Sequence, residues 1–324
     1  LDEVLVTGGA GFLGSHLVEA LLNTNLKVTV VDSLVSGKAD NLRRFSTNSR
    51  FKFVKKDACH LSDTNLVDEC DTVFHLAADS DVRMSLTSPT LKFEQNVTAT
   101  RMVLEAMRKA RSCSKIVFSS SSTVYGDTDV FPTPESFGPL VPASLYGAAK
   151  LACEALITAY CNSYGLEAVI LRLANVVGPR AGHGVIPDFV SKLSRNPSKL
   201  EILGDGSQRK SYIHVADAVK ALLLGTQDFS SNVMILNVGS NDTIDVMSIA
   251  RIVAKSLALN EVEYAPTGGI DGGRGWPGDV KTMLLDTSRI EQFGWRSSMT
   301  SAEAVMAAAG ELAREIYVRP TARA

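Results

Sequence analysis

Val4-Leu5-Val6-Thr7-Gly8-Gly9-Ala10-Gly11-Phe12-Leu13-Gly14 decides the fold of this chain. A short β-branched run breaks into glycines and resumes at once as a helical pattern from Phe12 to Leu22. Gly8, Gly11 and Gly14 keep the GxxGxxG spacing. Glycines there allow the tight turn and let a pyrophosphate approach the backbone, while free N–H groups and the positive helix end face the phosphates. Glycines alone are a weak signal, because turns and helix caps use them too. The strand–loop–helix setting strengthens it, and so does an acid at the end of the next strand.

That acid is Asp32, closing the run Lys27 to Val31. A carboxylate at this position takes both hydroxyls of an adenosine ribose and repels a 2′-phosphate, so the expected cofactor is NAD rather than NADP. Lys38, Arg43 and Arg44 lie downstream and leave NADP open. Phe12 and Leu13 in the loop, and Ser33, Ser36 and Gly37 after the acid, join the expected cofactor-contacting set.

Working outward, Phe51 to Val54, Thr72 to His75, Lys115 to Ser119 and Ala168 to Leu173 are further short apolar runs. Helical stretches separate several of them, the longest from about Pro89 to Ala110, and another spans Leu145 to Tyr164. This alternation predicts an α/β fold: a doubly wound parallel-sheet Rossmann domain. After Asn175 the rhythm changes, with Pro179, Pro187 and Pro197 interrupting short elements, and a smaller α/β lobe is expected. The expected division is residues 1–174 plus 211–239 for the dinucleotide domain, with Ser211 to Gly239 rejoining the main sheet. Residues 175–210 plus 240–324 form the lobe, and Arg319 to Ala324 a frayed tail.

Composition narrows the class. The chain has 324 residues, a net charge of -2 and 45% hydrophobic residues, which excludes a polybasic surface for nucleic acid or anionic lipid. Five cysteines without a CxxC pair fit reduced thiols better than a disulfide framework or a zinc site, and no histidine pair has metal spacing. No apolar run is long enough to span a bilayer, and Leu1-Asp2-Glu3 lead straight into the first strand pattern, so a cytoplasmic protein is expected.

Tyr146-Gly147-Ala148-Ala149-Lys150 places a tyrosine and a lysine four residues apart, on one face of a helix. A free phenol, with pKa ~10, is a poor base near neutrality. An adjacent ammonium and a positive nicotinamide ring favour the phenolate. Such a pair also arises by chance on solvated helices. The strand-end run Ser119-Ser120-Ser121-Ser122-Thr123 gives it weight, since strand ends of a parallel sheet line the ligand crevice and Ser121 can bond the hydroxyl that Tyr146 deprotonates.

These residues together resemble the extended short-chain dehydrogenase/reductase (NAD-dependent epimerase/dehydratase) family over essentially the whole chain. The match includes Asp57-Ala58, His75-Leu76-Ala77-Ala78, Asn96, Asn175 and Pro277-Gly278-Asp279. The resemblance implies Asp57 and Ala58 at the adenine, and Leu76, Ala77 and Ala78 along the cofactor. It adds Asn96 and Ser119 to the cofactor site and Lys150 to the nicotinamide ribose. Phe118 to Asp127 is most similar to the compact nucleotide-sugar 4-epimerases of that family. The implied activity is epimerisation at C4 of a UDP-sugar, UDP-glucose or UDP-galactose, through a 4-keto intermediate. Dehydratases and decarboxylases of the family keep titratable acids where this chain has Ser122 and Thr123. A dehydrogenase with an exchangeable cofactor, and a non-catalytic NAD(P) sensor, are the alternatives.

The segment Gly204 to Val215 matches the family's diphosphate clamp, with Lys210 in place of the usual arginine and Arg209 beside it. An ammonium is a point charge rather than a bidentate fork, so either cation fits the resemblance. Trp276 stands where an arginine precedes Pro277-Gly278-Asp279, and Arg274 is expected to reach the phosphates instead. Tyr212 and Asn175 complete the implied substrate set, with Asp279 on the nucleotide ribose and Met283 gating room for a 2-N-acetyl group. A homodimer through the helices near Pro89–Ala110 and Leu145–Tyr164 is also implied, although core packing explains the same apolar residues.

Overall fold

The computed structural model describes residues 2–80 and 89–318, so the expected tail at Arg319 to Ala324 lies outside the described residues. Seven strands form the main sheet. They are β1 (Glu3–Thr7), β2 (Lys27–Asp32), β3 (Phe51–Lys55), β4 (Thr72–His75), β5 (Lys115–Ser121), β6 (Glu167–Leu173) and the strand Val233–Val238. The spatial order is Val233–Val238, β6, β5, β4, β1, β2, β3. Pairing is parallel: Val6 lies opposite both Val30 and Phe74, and Ser121 opposite Leu173. β4 is buried throughout and β5 over all but its last residue, so Val73-Phe74 and Ile116-Val117-Phe118 follow one another without alternation. The edge strand β3 exposes Lys52 and Lys55, and charges there oppose pairing with another chain. Strand order reverses between β1 and β4, and this Rossmann-type α/β arrangement opens its crevice at the carboxyl ends of those strands.

The helices α1 (Phe12–Asn23), α2 (Pro89–Lys92), α3 (Ala99–Lys109) and α4 (Leu145–Tyr164) cover the sheet. Leu5, Ile116, Phe118 and Ile170 from the strands share one core with Leu104, Met107, Cys153 and Ile157 from α3 and α4. Ser144 caps α4 by accepting a bond from the Gly147 amide at 3.1 Å, and Gly165, at φ +72°, ends it. The single helix expected from Pro89 to Ala110 is not continuous. A π turn over Phe93–Thr98 separates α2 from α3, so α4, with 20 residues, is the longest helix among the described residues. At this turn Asn96 Nδ2 donates to the Lys92 carbonyl at 2.8 Å and Thr100 Oγ1 to the Asn96 carbonyl at 2.7 Å. Side-chain bonds to the ladder carbonyls accompany the widened turn, and inserted turns of this kind concentrate at functional sites.

The chain divides into two compact units, Leu1–Gly126 with Gly138–Leu173 and Val219–Asn237, and Asp127–Phe137 with Ala174–Ala218 and Val238–Ala324. The expectation that all of Ser211 to Gly239 rejoins the main sheet needs correcting. Tyr212–His214 pairs with Asn175–Val177 in a separate two-stranded sheet, and only Val233–Val238 enters the main one. The three residues run in register with Asn175–Val177, from Tyr212 opposite Asn175 to His214 opposite Val177. In the second unit Arg209–Lys210 lies between Ile244–Asp245 and Thr282–Met283, and Lys199–Ile202 pairs with Glu263–Pro266. Its core joins Ile186 and Phe189, Ile249 and Val253, and Ala304, Val305 and Ala308 from three helices. Among the described residues no helix is long and apolar enough to cross a membrane.

One buried ion pair fixes α4 to the sheet. The guanidinium of Arg172 on β6 meets the carboxylate of Glu154 on α4 at 2.7 Å and 3.1 Å, and both side chains are 4% exposed. Ser120 on β5 donates to the same carboxylate, while Tyr125 accepts from Arg172 at 2.9 Å and donates to Asn237 at 2.7 Å. Removing one partner leaves a charge buried without compensation. Glu154→Ala is therefore expected to cost about 3–5 kcal/mol of stability. Urea unfolding monitored by circular dichroism measures it, and a loss under about 1 kcal/mol would contradict the reading.

Candidate active site

The glycine loop is built for close backbone approach. Gly8 sits at φ +71°, and a Cβ there would lie 2.7 Å from the Ala77 nitrogen. A Cβ on Gly14 would come within 2.2 Å of the Gly8 carbonyl. The first turn of α1 packs directly on the loop, and the loop on the backbone of Leu76 and Ala77. Gly11 is the N-cap and has no side chain to bond the first-turn amides, those of Phe12, Leu13 and Gly14. Asp32 closes β2, 7% exposed, with its carboxylate accepting from Ala10 N at 2.9 Å and Leu34 N at 2.8 Å. Gly37 lies against that carboxylate, with half-buried Ser33 and exposed Ser36 in the same loop. The two arginines downstream are held by acids, Arg44 by Glu19 and Arg43 by Asp40.

Asp57 and Ala58 start the turn after β3. Burial opposes the charge of Asp57, but bonds from the Cys59 amide at 2.8 Å and from Gln95 at 3.3 Å hold its carboxyl below the usual range. Gln95 belongs to the π turn, which thus ties the Asp57 turn to Asn96. Asn96 is 1% exposed, and its Oδ1 has no hydrogen-bond partner. A buried acceptor left open costs free energy unless a donor completes it. The uncapped first turn of α1, the tight glycine cradle, the Asp32 carboxylate and this open acceptor together fit a dinucleotide.

Between β1, β4 and α3 runs a directional chain of hydroxyls. Ala77 N donates to Thr7 Oγ1 at 3.3 Å, Thr7 Oγ1 meets His75 Nδ1 at 2.7 Å, and His75 Nε2 meets Thr100 Oγ1 at 3.0 Å. Thr100 Oγ1 gives its proton to the Asn96 carbonyl and so accepts from Nε2, which leaves Nδ1 of the neutral ring to accept from Thr7. Burial, with Lys150 nearby, lowers the His75 pKa to about 3, and the ring stays neutral. This agrees with a structural role for the histidine.

The tyrosine and lysine face β5 as their spacing requires. Lys150 is 2% exposed, donates from Nζ to the Ser119 carbonyl at 2.7 Å, and lies 4.6 Å from the Phe118 ring centroid and 5.9 Å from that of Tyr146. Burial lowers its pKa to about 8. Burial also raises the Tyr146 phenol, and Asp79 adds to the rise, while a hydrogen bond with Ser121 works the other way. Desolvation thus outweighs the bond with Ser121, and the phenol moves away from the phenolate that was expected. Ser119, Ser121, Tyr146 and Lys150 are brought together at the carboxyl end of β5. Gly147 makes this possible, because a Cβ there would lie 2.6 Å from the Thr123 carbonyl.

An ion pair with no clear mark in the sequence stands at this end of the sheet. Lys92 on α2 is buried and pairs with Asp79 at 2.6 Å, next to the Leu76-Ala77-Ala78 segment. The acid directly after His75-Leu76-Ala77-Ala78 was its signal, but a lysine thirteen residues later on a broken helix is not a recognisable partner.

In the second unit, Lys210 and Asp279 pair at 2.6 Å, with Asp279 3% exposed and Trp276 5.7 Å from the ammonium by its ring centroid. Arg274 bonds the Asp279 carbonyl at 2.7 Å and Asp127 Oδ2 at 2.7 Å. Met283 lies opposite Lys210 in register and is 8% exposed, and Asn175 donates to the Ser211 carbonyl at 3.1 Å. Arg209 is not in this cluster. Strand alternation turns it outward to Thr243 and Asp245. Tyr212 packs in the apolar core, its amide bonded to Ser301.

Residues 4–239 match the NAD-dependent epimerase/dehydratase family. A putative UDP-glucose 4-epimerase of Methanocaldococcus jannaschii is 33% identical over 312 residues, covering 93% of this chain and 95% of that protein. A crystal structure of a UDP-galactose 4-epimerase superposes with a TM-score of 0.85 at 43% identity, covering 97% of this chain and 99% of the other. The UDP-glucose 4-epimerase of Thermus thermophilus in complex with NAD gives 0.82 at 32% identity, with coverages of 95% and 98%. A match across most of the chain, joined to a loop shaped for a dinucleotide, makes this protein a member of the NAD-dependent epimerase/dehydratase family, with NAD as its cofactor.

Proposed function

We propose that the chain catalyses C4 epimerisation of a nucleotide-sugar, with UDP-glucose and UDP-galactose as its substrates. The observation that carries this reading is the Ser121–Tyr146–Lys150 constellation next to a turn without an acid. Ser122 and Thr123 offer no titrating group, and Thr123 is engaged with Ser121. Elimination or decarboxylation needs further acid–base groups, whereas inversion at one carbon needs a single proton acceptor. The relatives named above are epimerases by description, which supports the same choice.

When bound, NAD would supply the acceptance of a hydride from C4 of the sugar and its return to the opposite face. The protein's task is the proton. Tyr146 takes the proton of the 4-hydroxyl and later gives it back, so the enzyme ends each cycle unchanged. Ser121 donates to the phenolic oxygen, and Lys150, anchored by the Ser119 carbonyl, keeps a positive charge within reach of the nicotinamide ribose and the phenol. Gly8, Gly11, Phe12, Leu13 and Gly14 cradle the pyrophosphate. Asp32, with Ser33, Ser36 and Gly37, holds the adenosine ribose, and Asp57 with Ala58 the adenine. Leu76, Ala77, Ala78, Asn96 and Ser119 line the rest of the cofactor. Arg274 serves the substrate diphosphate, Lys210 holds Asp279 at the uridine ribose, and Asn175 and Met283 serve the sugar. Arg209 and Tyr212 contribute structure instead. A homodimer through α3 and α4 belongs to the same reading.

Incubation of the pure protein with UDP-galactose and no added NAD tests the proposal. Formation of UDP-glucose is the expected result. Accumulated NADH would indicate a dehydrogenase, and no conversion of any nucleotide-sugar would indicate a sensor. Tyr146→Phe is expected to keep bound NAD yet lose turnover by about a hundred- to ten-thousand-fold. Near-normal activity would sink the mechanism. Gly147→Ala should push α4 from the Thr123 carbonyl and lower kcat by about a hundredfold while NAD content stays unchanged. An unaltered kcat would show that this close approach does not position the tyrosine.

A further inference from the structure

Ser121 Oγ is bonded to Thr123, and the pattern of those bonds is directional. The Thr123 hydroxyl donates to it at 2.9 Å and the Thr123 amide at 3.2 Å. Ser121 is also the N-cap of the short turn Ser122–Tyr125, which fixes its side chain toward Thr123 N. A serine hydroxyl has two acceptor positions and one proton to give. Both acceptor positions are filled from Thr123. We propose that Thr123 is a positioning residue that locks Ser121 as a hydrogen-bond donor to the Tyr146 oxygen. This rests on the reading of Tyr146 as the base.

The consequence is chemical. A neutral phenol needs an acceptor for its proton, and a doubly occupied Ser121 is a poor one. A phenolate needs a donor, and Ser121 can offer nothing else. The lock therefore favours the deprotonated form, and Ser121 cannot itself take the proton of the substrate hydroxyl, which passes directly to Tyr146. The bond with Ser121 is the one contact that moves the Tyr146 phenol downward against burial. The other groups facing the phenol are accounted for. Lys150 and Cys153 lie on α4 itself, and Asp79, paired with Lys92 of α2, comes from the segment after β4.

The test is the pH dependence of kcat for the NAD-loaded protein. Thr123→Val keeps shape and the backbone amide but removes the hydroxyl donor, which lets Ser121 turn and accept from the neutral phenol. Its acid limb is expected to move up by roughly half to one pH unit. Turnover on that limb falls about three- to tenfold and recovers at higher pH. Thr123→Ser should restore the wild-type profile. A uniform loss at every pH, or an unshifted limb, would overturn the proposal, since a merely structural defect has no reason to be cured by base. Tyr146→Phe, measured alongside, separates the two ideas: if it is dead while Thr123→Val is unshifted, only the lock fails, and if it is active, the base and the lock both fail. Should no sugar be turned over, tyrosine ring-carbon NMR of the NAD-loaded protein, assigned with Tyr146→Phe, must show the Tyr146 phenol ionising at higher pH in Thr123→Val. An unchanged resonance there refutes the lock.

Discussion

The approach of α4 to the turn after β5 is the constraint on which the candidate active site depends. A helix carrying a full side chain at Gly147 would meet the Thr123 carbonyl at 2.6 Å and stand away from the sheet. With glycine there, Tyr146 falls beside Ser121 and Lys150 falls beside the Ser119 carbonyl. One turn further on, the same helix is clamped by Glu154 to Arg172 of β6 and to Ser120 of β5. Tyr146 and Lys150 are thus held by a close approach between them, at Gly147, and by an ion pair one turn beyond them. Residues of β5 supply alternate functions: Ser119 and Ser121 face the site, and Ser120 points into the buried ion pair, as the two-residue period of a strand dictates.

Burial sets the electrostatics of this end of the sheet, and it acts in opposite senses on the groups present. It lowers Lys150 to about 8 and His75 to about 3 while raising Tyr146, so every charged form pays for desolvation. The ion pair of Lys92 with Asp79 adds a carboxylate near the phenol and neutralises it from α2. A site so arranged holds a protonated phenol until a positive group and a hydroxyl donor favour the anion. This matches the requirement for a base that must both take and return one proton.

The sheet was legible because buried parallel strands leave unbroken apolar runs, and the glycine loop because its geometry admits few other residues. Tyr146 and Lys150 were legible because four residues is one helical turn. What escaped was set by contacts distant in sequence or by backbone detail. The π turn at Phe93–Thr98 arises where the Asn96 and Thr100 side chains bond to ladder carbonyls, and no periodicity marks it. The pairing of Tyr212–His214 with Asn175–Val177 joins segments more than thirty residues apart. Adjacent cations at Arg209 and Lys210 looked equivalent in the sequence, yet strand alternation sends them to opposite faces. Thr123 looked inert because it does not titrate, whereas its contribution lies in the direction of its hydrogen bond.

The cations of the second unit are already partnered, and this bears on how a diphosphate would be held there under the proposed function. Lys210 and Asp279 are 18% and 2% exposed in their side chains, so separating them leaves a buried carboxylate without its ammonium. Arg274 and Asp127 are 25% and 49% exposed, and breaking that pair returns Asp127 to water for about 0–1 kcal/mol. Arg274 is also the planar, bidentate group that suits phosphate. The cheaper exchange therefore runs through Arg274, which trades Asp127 for the diphosphate while keeping its bond to the Asp279 carbonyl. Lys210 stays to hold Asp279 in place for the ribose. A lysine standing where the family uses arginine is then no loss, because its work is to fix an acid rather than to grip a phosphate.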